Sequence, residues 1–115
     1  MSYSTLLVRS IFIHVLLLMS TSVIAESLDD IEAVPHLDTS GKNSYREFLL
    51  SNKHRAFAIA PGGTWGWKGA ESSSESAAEE ALLACQIETE QKCLLYATND
   101  DVVFDSATWA KSWEP

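Results

Sequence analysis

Between residues 43 and 51 the apolar positions recur with the period of an α-helix. Tyr45, Phe48 and Leu49 stand at positions i, i+3 and i+4, so they share one face of a predicted short helix. Asn43 precedes this pattern and is a suitable N-cap residue. The pattern therefore predicts one short amphipathic helix before the first strand.

The next two segments have the period of β-strands and are joined by a Pro-Gly-Gly turn. Residues 56–60 alternate large and small side chains, and two tryptophans follow the turn two positions apart. We predict a three-residue loop, a type I turn with a glycine bulge, which pairs Ile59 with Trp65 and Phe57 with Trp67. The four large side chains then share one face of the sheet. A two-residue loop would shift the pairing and separate the tryptophans from the other two.

A second helix and two further strands follow. Ser72 and Glu75 have the spacing of a capping box, which predicts a helix from about residue 73 to residue 87. Its predicted apolar stripe consists of Ala78, Ala81, Leu82 and Cys85. The apolar run over residues 93–98 predicts a strand covered on both faces, and residues 102–104 predict a short strand that returns beside it.

These elements predict an α+β domain with a four-stranded, mainly antiparallel sheet. Two hairpins form the sheet, one long helix lies between them, and a short helix precedes them. The α+β core is expected over residues 55–115, in a single domain with residues 26–54. The earlier segment is expected to contain a flexible acidic lead, an extended stretch around Pro35, a turn at residues 38–41 and the short helix.

The first 25 residues have the composition of a cleavable signal peptide. Arg9 precedes a short apolar run, and small and polar residues lead to Ala25, so cleavage is expected between Ala25 and Glu26. The alternative is an uncleaved anchor, but the uncharged stretch is shorter than the roughly 20 apolar residues of a membrane-spanning helix. We therefore expect a periplasmic or secreted protein with no membrane span after cleavage.

The composition is acidic, with 16 Asp and Glu against 8 Lys and Arg and a formal net charge of −8. Nucleic-acid binding depends on clustered Lys and Arg, so this balance argues against a nucleic-acid partner. The same balance argues against docking on anionic lipid headgroups. Net charge by itself identifies no partner, because it also keeps a protein soluble.

Cys85 and Cys93 are the only two cysteines. In an oxidising compartment an even count predicts a disulfide, and two cysteines allow one intramolecular pairing. The chain-entropy treatment gives a loop of this length a stabilisation of about 2.5 kcal/mol. The alternatives are free or redox-active thiols. The spacing is not C-x-x-C, and Lys92 is the only adjacent basic residue that could lower a thiol pKa.

Several short stretches between residues 55 and 104 form a recognisable order. They are Arg55 to Pro61, Trp65-Gly66-Trp67, Ala81-Leu82 with Cys85, and Cys93-x-Leu95-Tyr96-Ala97 with Asp100-Asp101-x-Val103. This order resembles small exported bacterial domains of unknown function, in which W-G-x-x-x-G precedes an alanine-rich helix and a cysteine pair. The resemblance implies an exported, disulfide-bonded domain and implies no catalytic residue.

Few residues are arranged for catalysis or metal binding. His36 and His54 do not stand at the spacing of a zinc motif. There is no G-x-S-x-G motif, and the serines at 72–74 are explained by a helix cap. The aspartates within residues 100–105 lack the order of a calcium loop and are interpreted as a solvated turn. We therefore expect neither an enzyme nor a cofactor or metal site.

The tryptophans are the remaining candidates for a functional site. Trp109 and Trp113 are four apart and could share one face of a final helical turn. We interpret Trp65 and Trp67 as core residues. The alternative is an exposed platform, with Trp109, on which sugar rings stack. The sequence thus predicts a non-enzymatic accessory or binding protein of unknown ligand, with an unknown protein or an envelope glycan as its partner. A cell-envelope glycan-binding module is the second hypothesis, and a small envelope enzyme is the third.

Overall fold

A computed structural model of the protein describes residues 27–105. The predicted signal peptide, its cleavage site at Ala25 and Glu26, and Trp109 and Trp113 lie outside the described residues. The elements in chain order are a 3-10 turn (Ile31–Ala33), α1 (Thr39–Leu50), β1 (Ala56–Ile59), β2 (Trp65–Lys68), α2 (Ser74–Gln86), β3 (Leu94–Thr98) and β4 (Asp101–Val102).

The four strands form one antiparallel sheet in the order β2-β1-β3-β4. The α+β class, the four-stranded antiparallel sheet and the Cys85–Cys93 disulfide agree with the prediction. The predicted contrast between one long and one short helix is wrong, because α2 has 13 residues and α1 has 12. The last strand is also misplaced, since β4 begins at Asp101 and ends at Val102.

The sheet separates two cores of different character. On one face α1 packs against large side chains, and Tyr45, Phe48 and Phe57 are fully buried there. The ring centroids of Tyr45 and Phe57 lie 5.0 Å apart in an edge-to-face contact. On the other face α2 packs against the short side chains of β1, which are Ala56, Ala58 and Ala60. Short side chains allow the helix to approach the sheet closely.

The first helix begins earlier than its apolar period predicts. Asp38 is the N-cap, and its Oδ1 accepts a hydrogen bond from the Gly41 N–H at 2.8 Å. The predicted turn at residues 38–41 and the predicted N-cap Asn43 are therefore wrong. Gly41 lies inside this helix at a closely packed position, since a Cβ there would lie 2.8 Å from Leu37 and 2.9 Å from Trp65.

The predicted flexible lead is wrong from residue 27 onward. Leu28 and Ile31 pack against the aromatic core, and the Tyr45 hydroxyl donates to the Leu28 carbonyl oxygen at 2.6 Å. The extended stretch is correct at Val34, but His36 has a φ of 64° in the left-handed region. The lead is thus ordered by contacts with α1 that lie beyond the reach of local sequence patterns.

The predicted hairpin register is confirmed. Ile59 pairs with Trp65, and Phe57 pairs with Trp67. The turn itself differs from the prediction, because Gly62 has a φ of 87°. A positive φ at the second central position is typical of a type II turn rather than type I.

The N-terminus of α2 is capped one residue later than predicted. The Ser73 side chain, rather than that of Ser72, accepts from the Ser76 N–H at 3.0 Å. The buried stripe is also rotated toward β2, and consists of Ala77, Ala81 and Cys85. Ala78 and Leu82, which were predicted to belong to the stripe, are only partly buried. Within residues 27–105, neither helix has the length and apolarity that a membrane crossing requires.

Candidate functional site

Strand β2 is one outer edge of the described sheet, and no described strand pairs with its far side. The Ala60 N–H donates to the Thr64 carbonyl at 2.9 Å, so Ala60 and Thr64 form a hydrogen-bonded pair. Hydrogen-bonded and non-hydrogen-bonded pairs alternate along an antiparallel ladder. Gly66 therefore directs its N–H and C=O toward β1, whereas Trp65 and Trp67 direct theirs toward the open edge.

A groove of about 560 Å³ runs along this edge. It is lined by four consecutive residues, Thr64 to Trp67, by Ala84 from the C-terminal part of α2, and by Glu88, two residues beyond the end of α2. The lining therefore includes residues whose side chains belong to the aromatic face of the sheet and residues on the face that α2 covers. A ligand in this groove would lie beside the main chain of β2 rather than on one face of the sheet.

A second groove of about 500 Å³ continues past Trp67 toward the end of the strand. Its lining includes Trp67 and Lys68 from β2, and Ser51 and Asn52 from the chain that follows α1. Trp67 lines both grooves. We call the surface along Thr64 to Ala70, with Ala84 and Glu88, the β2-edge site.

Both tryptophans belong to the core and to the surface at once. Trp65 stacks on Phe57 with ring centroids 6.3 Å apart, and Trp67 meets Phe48 edge to face at 6.4 Å. Both tryptophans are nevertheless only half-buried and line the grooves. The two sequence interpretations are therefore not exclusive, since one part of each side chain contacts the core while another part remains accessible.

Charged side chains of opposite sign mark the two ends of the β2-edge site. Glu88 lines the first groove and follows Cys85 by three residues, and the Cys85 Sγ lies 3.9 Å from the Thr64 carbonyl oxygen. Lys68 lines the second groove at the far end of the strand. Both residues are exposed. Sequence reasoning missed Ala84 and Glu88, which reach the site only through packing of α2. Lys68 did carry a local cue, because lysine is typical of strands at a sheet edge.

A polar cluster at the Lys68 end of the strands is structural. Arg55 is buried, and its guanidinium donates to the last carbonyl groups of α1, those of Phe48, Leu49 and Ser51, at 2.7 to 3.1 Å. It also donates to Asp100 Oδ1 at 3.1 Å. Asp100 is exposed, in agreement with the predicted solvated turn, and its carboxylate pairs with Arg55 from the side of the solvent.

A serine and a histidine meet beside this cluster. His54 Nδ1 lies 3.1 Å from Ser74 Oγ, and Asn99 Nδ2 donates to the same oxygen at 2.8 Å. The distance is within the range of a nucleophile and its base. Neither groove of the β2-edge site is lined by these residues. We interpret the contact as a bridge between three chain segments.

Tyr45 is the described residue whose pKa is clearly shifted. Burial in the aromatic core raises the pKa of its hydroxyl far above the ordinary value of 10, and Tyr96 and Asp29 act in the same direction. Its role is structural, because its hydroxyl is committed to the Leu28 carbonyl. Among residues 27–105, no group of three or more His, Cys, Asp or Glu is placed to hold a metal ion.

Neither the models of protein families, the curated proteins nor the solved structures include a match to this chain. The resemblance drawn from short motifs therefore stays a prediction. The chain also departs from the W-G-x-x-x-G spacing, because the glycine that follows Trp65-Gly66 is Gly69, one position early. The function must accordingly be argued from the geometry of the β2-edge site.

Proposed function

We propose that this protein is an exported, non-enzymatic binding domain whose ligand occupies the β2-edge site. The observation that carries the proposal is the groove of about 560 Å³ along the outer side of β2, which is lined by two half-buried tryptophans together with Ala84 and Glu88. Ligand sites are typically concave and mainly apolar, with a few polar groups that fix orientation. This groove is concave and combines two tryptophans and an alanine with the polar Thr64 and the charged Glu88.

Export is proposed from the leader-like residues 1–25, and the disulfide supports it. Cys85 and Cys93 are joined in the structure, and disulfides persist mainly in oxidising compartments. Their bond fixes the end of α2 relative to β3, and Glu88 lies in the loop that it closes. A reducing compartment would therefore loosen one wall of the site.

The test is a mapping experiment with isotope-labelled protein and an extract of the cell envelope. We expect amide shifts or line broadening at Thr64, Trp65, Trp67 and Glu88. An Ala84→Leu variant should abolish these effects, because the longer side chain fills the groove at a partly exposed position. Leu83→Ala is the matched control, since Leu83 is 57% exposed and does not line the groove. Perturbation confined to other surfaces would contradict the proposal.

A glycan ligand is the second candidate, and one observation favours it. Hydrogen-bonding side chains stand beside each tryptophan, with Thr64 next to Trp65 and with Ser51 and Asn52 next to Trp67. Aromatic faces with neighbouring polar groups suit sugar rings. Soluble peptidoglycan fragments should then quench tryptophan emission. Unchanged emission and unchanged amide positions at saturating fragment would exclude this candidate.

A further inference from the structure

We infer that the β2-edge site takes an extended stretch of polypeptide, which pairs antiparallel with β2 through the main-chain groups of Trp65 and Trp67. The inference rests on the proposed function and narrows it to one class of ligand. Strand addition to an exposed sheet edge is an established mode of peptide recognition, in which main-chain hydrogen bonds supply affinity and alternate side chains supply specificity.

The first argument is the direction of the main-chain groups. Because Thr64 and Gly66 bond inward to β1, the N–H and C=O groups of Trp65 and Trp67 form two outward donor–acceptor sets two residues apart. That spacing matches one edge of an incoming strand. The groove lies at this edge and is lined by all four of these residues.

The second argument is the shape of the two sides of the groove. Ligand residues opposite Trp65 and Trp67 would direct their side chains to the same face as the indoles, because directly opposite residues in a ladder share a face. The ligand residue between them would point toward α2. Gly66 has no side chain there and Ala84 has a short one, so the strand can approach closely.

The third argument is charge complementarity, which also gives the ligand a direction. Lys68 and Glu88 lie near opposite ends of the site. An antiparallel ligand passes Lys68 first and reaches Glu88 last. It should therefore carry an acidic residue opposite Lys68 and a basic residue four positions later, next to Glu88. The ligand residues opposite Lys68 and opposite Thr64 are four positions apart, and both point to the same face because side chains alternate along a strand.

The probe is the capped heptapeptide Thr-Glu-Val-Thr-Val-Lys-Thr, in which the two valines are opposite Trp67 and Trp65. Its matched control is Thr-Lys-Val-Thr-Val-Glu-Thr, which has the same composition and reversed charges. We expect the probe to shift the amides of the full protein at Trp65 and Trp67 and the control to bind at least fivefold more weakly. The Glu88→Lys variant should abolish this preference, because each peptide then has one favourable and one unfavourable charge pair. Glu79→Lys, an exposed position on α2 outside the groove, should leave the preference unchanged.

N-methylation tests strand pairing directly. Methyl groups on the two valine nitrogens should weaken binding at least tenfold, because those N–H groups face β2. A methyl group on the central threonine nitrogen should leave binding within twofold, because that N–H faces away. Equal effects at both kinds of position would overturn strand pairing while leaving the groove as a binding site.

The remaining outcomes separate this inference from its competitors. Absence of any amide shift with the heptapeptide overturns the inference. Shifts at the β2-edge site with peptidoglycan fragments alone would leave the proposed function standing and replace the peptide with a glycan. The protein could instead sediment as a dimer at the concentrations used, with β2 amides that shift on dilution. That result would assign the edge of β2 to a second copy of this chain and would also overturn the inference.

Discussion

Gly66 should tolerate no side chain, and Gly66→Ala tests the packing of α2 under the strand that carries the proposed site. A Cβ at this position would lie 2.7 Å from the Ala81 carbonyl oxygen and from the Ala84 carbonyl carbon, and closer still to the Cys85 nitrogen. All three are main-chain atoms of one helix. No side chain can rotate away, so the whole of α2 must move to admit one methyl group.

The expected change in stability has the opposite sign to the change that intrinsic strand propensity alone would produce. Glycine inside a strand is less favourable than alanine by about 0.5–1 kcal/mol, so the substitution would be stabilising if space were available. Overpacking a core costs about 1–3 kcal/mol, and contact with main-chain atoms on one side favours the upper end. We expect a loss of about 3 kcal/mol. For a domain of this size that corresponds to a fall in Tm of about 12–24 °C.

Thermal unfolding followed by far-ultraviolet circular dichroism, together with urea unfolding, measures the loss. Gly62→Ala is the matched control, because nothing lies within 4 Å of its Cβ while its φ is +87°. The control should lose only the about 1–2 kcal/mol of left-handed strain. If Gly66→Ala proves as stable as the native protein, or more stable than Gly62→Ala, the close contact between β2 and α2 is refuted.

Two further predictions concern the disulfide and pH. Reduction of the Cys85–Cys93 disulfide should lower the free energy of unfolding by about 2.5 kcal/mol. Differential scanning calorimetry with and without reductant measures this loss. An unchanged Tm would contradict a stabilising role. Burial raises the pKa of Tyr45 above that of an unfolded tyrosine, which is about 10. The stability that this group contributes should therefore be fully present below about pH 10. It should fall as the pH rises further, because the unfolded chain then releases a proton that the native chain retains. Absorbance at 295 nm should show its ionisation only together with unfolding, and Tyr45→Phe should make stability less dependent on pH in this range. Ionisation of Tyr45 in the folded protein near pH 10 would contradict the burial argument.

Features that depend on a few neighbouring residues were predictable. Alternation of large and small side chains, together with the Pro61-Gly62-Gly63 turn, was sufficient for the register that pairs Phe57 with Trp67. The errors lie where tertiary contacts replace local preference. Residues 38–41 have the composition of a turn, but Asp38 caps α1, and Gly41 lies inside the helix where Leu37 and Trp65 leave no room for a Cβ. The α2 stripe was misassigned because Ala77, rather than Ala78 and Leu82, is buried with Ala81 and Cys85.

The candidate site was predictable only in part. The sequence singled out Trp65 and Trp67 by their spacing, but whether β2 is an edge or an inner strand is a property of the complete sheet. Glu88 lies more than twenty residues from Trp65 and joins the groove only because α2 crosses beneath Gly66. No sequence pattern around Trp65 or around Glu88 indicates that α2 crosses β2 at this point.

By itself the sequence determined the α+β class, the hairpin register and the cysteine pairing, because each follows from periodicity, turn chemistry or the limited number of pairing partners. Only the tertiary structure decided that, within residues 27–105, no strand pairs with the outer side of β2. It also decided that the two tryptophans are shared between core and surface, and that an acidic and a basic side chain mark the two ends of the groove. Those features arise from the order of strands and the placement of α2, which are set by long-range packing rather than by neighbouring residues.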